Sequence, residues 1–207
     1  MALIIAVDGP AAAGKGTLAK ALAAKLGLPH LDTGLLYRAV GRKMILCGLD
    51  PAVDDGAAVA AALEPGDLQR TDLRVPEIDQ AASNVATQPA VRAALLQRQR
   101  DFAKALGGVI DGRDIGTVVF PDAPVKLFVT ASARTRALRR HAQLHGDAPL
   151  SDEELVRLTS EITERDRKDA SRAVSPLRCA DDAVRIDTDC LNSAEVLEHA
   201  LKIVGAR

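Results

Sequence analysis

Nine consecutive residues, Gly9-Pro10-Ala11-Ala12-Ala13-Gly14-Lys15-Gly16-Thr17, combine glycines, small side chains and one lysine. Small residues let successive backbone N–H groups fold around an anion without side-chain collision. Lys15 adds a point charge for the outer oxygens of a polyphosphate, and a helix starting near it would aim its positive end at the same place. Such a loop serves to bind a nucleoside triphosphate by its phosphates. The strict pattern has Ser or Thr directly after the lysine as a magnesium ligand. Here Gly16 stands there and Thr17 follows. Thr17 is expected to bond a phosphate oxygen while Mg²⁺ keeps more of its waters, in line with an ion that dehydrates reluctantly. Asp111, behind the predicted strand Val109-Ile110, is the carboxylate expected to hold those waters; a plain turn role is the alternative.

Three further clusters carry polar chemistry: Asp32-Thr33-Gly34-Leu35-Leu36-Tyr37-Arg38, Asp111-Gly112-Arg113-Asp114-Ile115-Gly116, and Arg165-Asp166-Arg167-Lys168-Asp169-Ala170-Ser171-Arg172. In the third, Arg165, Asp169 and Arg172 fall at i, i+4, i+7, one face of a helix. The functional reading is a mobile lid whose arginines close over a migrating phosphoryl group; a solvated charged helix is the alternative. Phosphoryl transfer spreads negative charge over equatorial oxygens, and arginine forks match those oxygens bidentately. A GTPase switch would need Asn-Lys-x-Asp and Asp-x-x-Gly, and neither occurs in the chain.

These residues need a scaffold. Leu3–Val7 is continuously apolar, as a strand buried on both faces would be. Leu18, Leu22 and Leu26 mark a helix closed by Gly27, and Leu28–Leu31 is a short strand candidate. Leu36, Val40, Met44 and Cys47 mark a helix closed by Gly48. Ala57–Leu63 reads as helical, Leu73–Val75 as the one strand candidate of residues 49–80, and residues 89–106 as a helix led by Pro89. Val109–Ile110, Val125–Thr130 and Val184–Ile186 read as strands and Ala133–His145 as a helix. Ser151 to Glu154 is a capping-box pattern opening a long polar helix, and Asn192 with Glu195 caps a last helix through Ile203. Strands alternating with helices predict an α/β fold with a parallel sheet, which binds ligands beyond the carboxyl ends of its strands. Asp8, Asp32, Asp111 and Arg113 all follow predicted strands.

Composition narrows the class. The 207 residues are 47% hydrophobic and 27% charged with a net charge of −1, ordinary for one globular domain and without a global field for nucleic acid or membrane. Only Tyr37, Phe102, Phe120 and Phe128 are aromatic, too few for stacking single-stranded nucleic acid. Cys47, Cys179 and Cys190 fit no metal spacing, and His30, His141, His145 and His199 form no ligand spacing and are read as structural or exposed. No apolar run spans a membrane, the start reads as a strand rather than a signal peptide, and a cytoplasmic monomer is expected. Asp8 is expected to shape the loop or meet the phosphates. Asp32 is open between substrate, water network and turn. Arg136, Arg139 and Arg140 are candidates to stack on adenine, with surface solvation the alternative.

Together the loop Gly9–Thr17, Asp32–Arg38, Asp111–Gly116 and Arg165–Arg172 resemble bacterial cytidylate kinase. So do Val91-Arg92, Gln97-Arg98-Gln99-Arg100, Gly116–Pro124 and Arg172-Ala173-Val174-Ser175-Pro176. The resemblance covers nearly the whole chain. It implies a nucleoside-monophosphate-kinase fold, with a P-loop core over about 1–45, 106–150 and 177–207. It further implies a shortened acceptor-binding insertion over about 46–105 and a helical lid over about 151–176. The implied activity is Mg²⁺-dependent transfer of the γ-phosphoryl of ATP to CMP or dCMP. Thr33, Arg92 and Asp114 would read cytosine; Ser83, Arg165 and Asp169 would hold the sugar; Arg38, Arg113 and Arg172 would grip phosphate. Lys15, Arg113, Arg165 and Arg172 would carry catalysis. The rival readings are another P-loop kinase, acting on UMP, AMP or shikimate, and a non-catalytic nucleotide-binding regulator.

Overall fold

A computed structural model describes residues 2–206, which fall into two compact units, one up to His30 and from Leu106 onward, the other Leu31–Ala105. The sheet has five strands, β1 (Ile4–Asp8), β2 (His30–Asp32), β3 (Gly108–Gly112), β4 (Val125–Thr130) and β5 (Val184–Asp187), in the order β2-β3-β1-β4-β5; all but β2, which starts at the last residue of the first segment, lie wholly in the first unit. β3, β1, β4 and β5 pair in parallel, with Asp8 opposite Gly112 and Phe128, and Thr130 opposite Asp187. Ile5, Ala6 and Val7 are fully buried, which explains their uninterrupted apolar run. The helices of this unit are α1 (Lys15–Leu26), α6 (Ala133–His145), α7 (Asp152–Ala170) and α8 (Ser193–Gly205). Leu18, Leu22, Val196 and Ala200 from α1 and α8 join Ile5, Leu127 and Ile186 in one core. The predicted punctuation is present: Gly27 ends α1 in the left-handed region, and Asn192 and Glu195 form a reciprocal capping box on α8.

The second unit is helical: α2 (Thr33–Leu46), α3 (Ala57–Ala61), α4 (Pro76–Val85) and α5 (Pro89–Ala103), with 3₁₀ turns at Pro65–Gln69 and Thr71–Arg74. Leu36, Val40, Met44, Leu73, Val85, Val91 and Leu95 form its core. Two expectations change here. Leu73–Val75 is not a strand: Leu73 lies in a 3₁₀ turn with its side chain buried, and Val75 is extended only as the N-cap of α4, whose first residue is Pro76. A short β-prone run with no strand beside it follows the packing demand of its one large apolar side chain instead. The compact unit also begins at Leu31 rather than near 46, because α2 packs within it: a Cβ at Gly41 would lie 2.7 Å from the Cβ of Ala81 on α4. In the first unit, Ile115–Val119 forms a π-type turn that periodicity did not signal.

Gly107 shows how tightly the sheet is entered. Its φ is +72°, and a Cβ there would stand 2.1 Å from the Leu3 carbonyl oxygen. Backbone cannot yield as a flexible side chain can, so Gly107→Ala should destabilise the chain by about 2–3 kcal/mol. A urea midpoint equal to that of the parent protein would contradict this.

Candidate active site

Between β1 and α1 the backbone turns through three left-handed residues, Gly9 (φ 147°), Ala12 (φ 58°) and Gly14 (φ 91°). A Cβ at Gly9 would come within 2.1 Å of the Val129 carbonyl oxygen, so the loop leaves the sheet where only glycine fits. Ser132, Ser151 and Asn192 cap α6, α7 and α8 with side-chain oxygens, but α1 starts from Gly14 with no side-chain cap. Its first N–H groups are left for a ligand, in the pattern of helix-terminal anion sites. Lys15 Nζ reaches back to the Pro10 carbonyl at 3.4 Å, placing the ammonium over the loop.

Two buried carboxylates flank this loop. Asp8 accepts from the Ile115 and Gly116 N–H groups at 2.8 and 2.7 Å, tying the end of β1 to the π-type turn. Asp8 is thus engaged by a distant segment that no local pattern signals. Burial pushes the Asp8 carboxyl up to about 6, outweighing the two N–H donors and Lys15, which pull it down. Asp111 bonds His30 Nε2 at 2.8 Å. A Cβ at Gly16 would lie 3.9 Å from Asp111 Oδ2, so the start of α1 faces this carboxylate. A carboxylate beside the start of α1 is an oxygen donor of the kind that suits hydrated Mg²⁺, and Thr17, exposed one residue on, is the other oxygen donor the sequence offers there.

Arg113 and Arg172 come together around one carboxylate. Asp169, 1% exposed, accepts from Arg113 Nε at 2.9 Å and from an Arg172 guanidinium N–H at 2.5 Å. Burial raises the Asp169 pKa, but the Arg113, Arg172 and Arg165 charges outweigh it and hold the group below the usual carboxylate range. One detail differs from the helical-face expectation: α7 ends at Ala170, so Arg172 lies beyond it. The chain leaves through the Ser171 cap and still returns Arg172 to Asp169, an i, i+3 pair. Asp169, expected to hold sugar, thus also holds two of the arginines expected to grip phosphate. Asp114 is buried near Asp8 and helps raise its pKa, after burial.

In the second unit, Thr33 begins α2 and is buried, Arg38 Nε donates to Asp79 at 2.8 Å, and Ser83 lies on α4. Arg92 is buried on α5, with its guanidinium 5.4 Å from the Tyr37 ring centroid. Asp32 pairs with Arg74 at 2.8 Å, a partner in a segment whose pattern was unreadable. Asp79 was missed for the same reason: its helix carried no recognised signal.

Arg136 is 4% exposed, so surface solvation does not describe it. Its guanidinium makes a bidentate pair with Asp166 on α7 and donates to the Ala11 carbonyl at 3.3 Å, under the loop. Arg139 donates to the Thr188 hydroxyl and carbonyl at 2.8 and 2.6 Å. Arg140 is half-buried and meets Gln143 at 3.2 Å.

Known proteins resemble this chain over its length. The family model described as cytidylate kinase matches residues 5–206. A cytidylate kinase from Granulibacter bethesdensis is 58% identical over 99% of this chain and 97% of its own. One from Paramagnetospirillum magneticum is 53% identical over 100% of both. The fold is shared, at 17% identity and a TM-score of 0.52, with a gluconokinase from Sinorhizobium meliloti 1021, covering 99% of this chain and 92% of that one. A shikimate kinase from Bacteroides thetaiotaomicron, at 14% identity, gives a TM-score of 0.52 with 99% and 97% covered. Among the described residues no helix is long and apolar enough to cross a membrane.

The two buried carboxylates should respond to pH with opposite sign. Asp8 binds its proton more tightly folded (about 6) than unfolded (3.8). Its contribution to stability is full below pH 3.8 and is lost as pH rises through about 6, a change of about 3 kcal/mol. Asp169 is depressed, so its contribution is present above 3.8 and disappears as pH falls through the lowered folded value. Carboxyl-carbon NMR should show Asp8 titrating well above the other aspartates; a midpoint at or below about 4 would refute the assignment. Asp169→Asn should lower stability at pH 7 by about 3–5 kcal/mol, because two guanidinium groups lose their buried counter-charge.

Proposed function

Because the chain belongs to the cytidylate kinase family, we propose that it transfers the γ-phosphoryl group of ATP to CMP or dCMP, giving ADP and CDP or dCDP. The observation that carries this reading is the buried Arg113–Asp169–Arg172 cluster in the same unit as the phosphate loop and Lys15. The loop N–H groups from Gly9 to Thr17, together with Lys15, hold the ATP phosphates. Arg113 and Arg172 meet the acceptor phosphate and the group in transfer, and Arg165 adds a third cation. The acceptor oxygen belongs to a phosphate already largely deprotonated at neutral pH, so no side chain is needed as general base. The bond from the γ-phosphorus to the β,γ-bridging oxygen breaks as the CMP oxygen bonds to that phosphorus, and ADP leaves. Catalysis is then positioning and charge stabilisation, for which one well-placed arginine supplies roughly 10³–10⁵ in rate.

Asp111 and Thr17 would hold Mg²⁺, in part through waters; when bound it neutralises charge between the β- and γ-phosphates. On the acceptor side, Asp114 in the first unit and Thr33 and Arg92 in the second are assigned to cytosine. Their donors and acceptors suit an amino group, a ring nitrogen and a carbonyl. Ser83 and Asp169 are assigned to the sugar, and Arg38 to the acceptor phosphate. Arg136, buried beneath the loop, and Arg140 are the arginines assigned to the ATP side.

Turnover measured in parallel with CMP, dCMP, UMP and AMP tests the substrate class. Cytosine nucleotides should lead, and a clear preference for AMP would overturn the proposal. Lys15→Ala should abolish turnover without changing the far-UV spectrum. Arg113→Ala should lower kcat by about 10³-fold with the KM for ATP little changed. An unchanged kcat would remove Arg113 from the reaction.

A further inference from the structure

Away from the phosphate loop, α6 and α7 pack through Ala137, Leu155 and Ile162, and beside that contact lie two histidines and a glutamate. His141 and His145 are four residues apart on α6, so they stand one turn apart on the same face. Their ring centroids are 4.9 Å apart. Glu154 lies in the first turn of α7, positioned by Ser151, whose hydroxyl oxygen accepts from the Glu154 N–H at 3.2 Å. One ligand atom from each of His141, His145 and Glu154 falls within 4.8 Å of the other two. His141 is buried and His145 exposed, as the sequence reading allowed, but the expectation that they form no ligand spacing does not hold once Glu154 stands beside them. Their i, i+4 spacing becomes meaningful only when α7 brings Glu154 alongside.

The decisive atom is His141 Nδ1. His141 is only 7% exposed. Its Nε2 lies 3.0 Å from the Ala148 carbonyl oxygen. A carbonyl can only accept, so Nε2 carries the ring proton and Nδ1 presents a lone pair. That Nδ1 is buried and has no hydrogen-bond partner among the described residues. A histidine whose one nitrogen donates to a backbone carbonyl and whose other nitrogen is an open donor of electrons is arranged as metal-binding histidines are. Among the described residues Glu154 has one ion-pair partner, Arg157 at 3.7 Å, and that guanidinium bonds Glu161 at 2.5 Å.

We infer that His141 Nδ1, a ring nitrogen of His145 and the Glu154 carboxylate form a binding site for a borderline divalent transition metal such as Zn²⁺. Two imidazoles and one carboxylate are a known zinc donor set, with water in the fourth tetrahedral position. Mg²⁺ and Ca²⁺ prefer oxygen ligands and are poorly served here. The ion would join the end of α6 to the start of α7, the helix that carries Arg165 and Asp169. The site shares no residue with the phosphate loop, and it does not depend on the kinase reading.

The test is titration of the metal-stripped full chain with Co²⁺, without nucleotide or Mg²⁺. One Co²⁺ per chain should bind with the intense visible bands of a tetrahedral nitrogen–oxygen site, Zn²⁺ should displace it, and Zn²⁺ should raise the Tm. His145→Ala and Glu154→Gln, at exposed and half-buried positions, avoid disturbing buried His141. Each should weaken Co²⁺ binding by more than about tenfold. Each should also keep the parent Tm in the metal-free state and the parent kinase rate with Mg²⁺ alone. No Co²⁺ binding by the parent chain, an octahedral spectrum, or equal binding by both variants would overturn the site.

Discussion

A site that gathers several cations for phosphate must first keep those cations from repelling one another. Arg113 comes from the segment after β3 and Arg172 from beyond the end of α7, and neither position would bring them together unaided. Asp169 does so, buried and in contact with both. Such a group is costly to desolvate alone, but two guanidinium partners outweigh the burial and keep it ionised. The cluster therefore holds its arginines ready without relying on a loop to find its shape anew at each encounter.

The phosphate loop depends on a second buried carboxylate used the other way. Asp8 offers both oxygens to backbone donors of the π-type turn, fixing the end of β1 relative to the segment that follows Arg113 and Asp114. Here burial prevails over its donors and raises its pKa. The contrast between Asp8 and Asp169 comes from their surroundings: Asp8 is bonded by two neutral N–H groups with the Asp114 charge opposing Lys15, whereas Asp169 faces the charges of Arg113, Arg172 and Arg165.

Arg136 links these parts. From α6 it reaches the Ala11 carbonyl in the loop and makes a bidentate pair with Asp166 on α7. Asp166 sits three residues before Asp169, so α7 is anchored to the loop and to the arginine cluster through neighbouring turns. A charge-assisted bidentate pair has a defined geometry as well as strength. The helix that carries Asp169 is thereby tied to the glycine-rich loop.

Much of this was legible in the chain because it is local. The apolar run before Asp8, the glycines at 9 and 14, Lys15, the caps at Gly27 and Asn192, and the strands at β3, β4 and β5 follow from residue types a few positions apart. The arginine-rich segment at 165–172 was visible as a charge cluster, but the sequence did not separate its members: Arg167 and Lys168 pair with Glu164 on the surface, while Asp169 is buried with Arg113 and Arg172. What the sequence left undecided were matters of long-range pairing. Leu73 read as a strand residue until the helical core claimed it, and Asp32 was open between substrate, water network and turn until the fold paired it with Arg74. Asp8 is separated from Ile115 by 107 positions and Arg113 from Asp169 by 56. His141 and His145 sat in plain view at helical spacing, yet only the packing of α7 supplied Glu154 and buried His141. Local chemistry is encoded in neighbours along the chain, whereas the partner of a buried charge is set by which surfaces the folded elements press together.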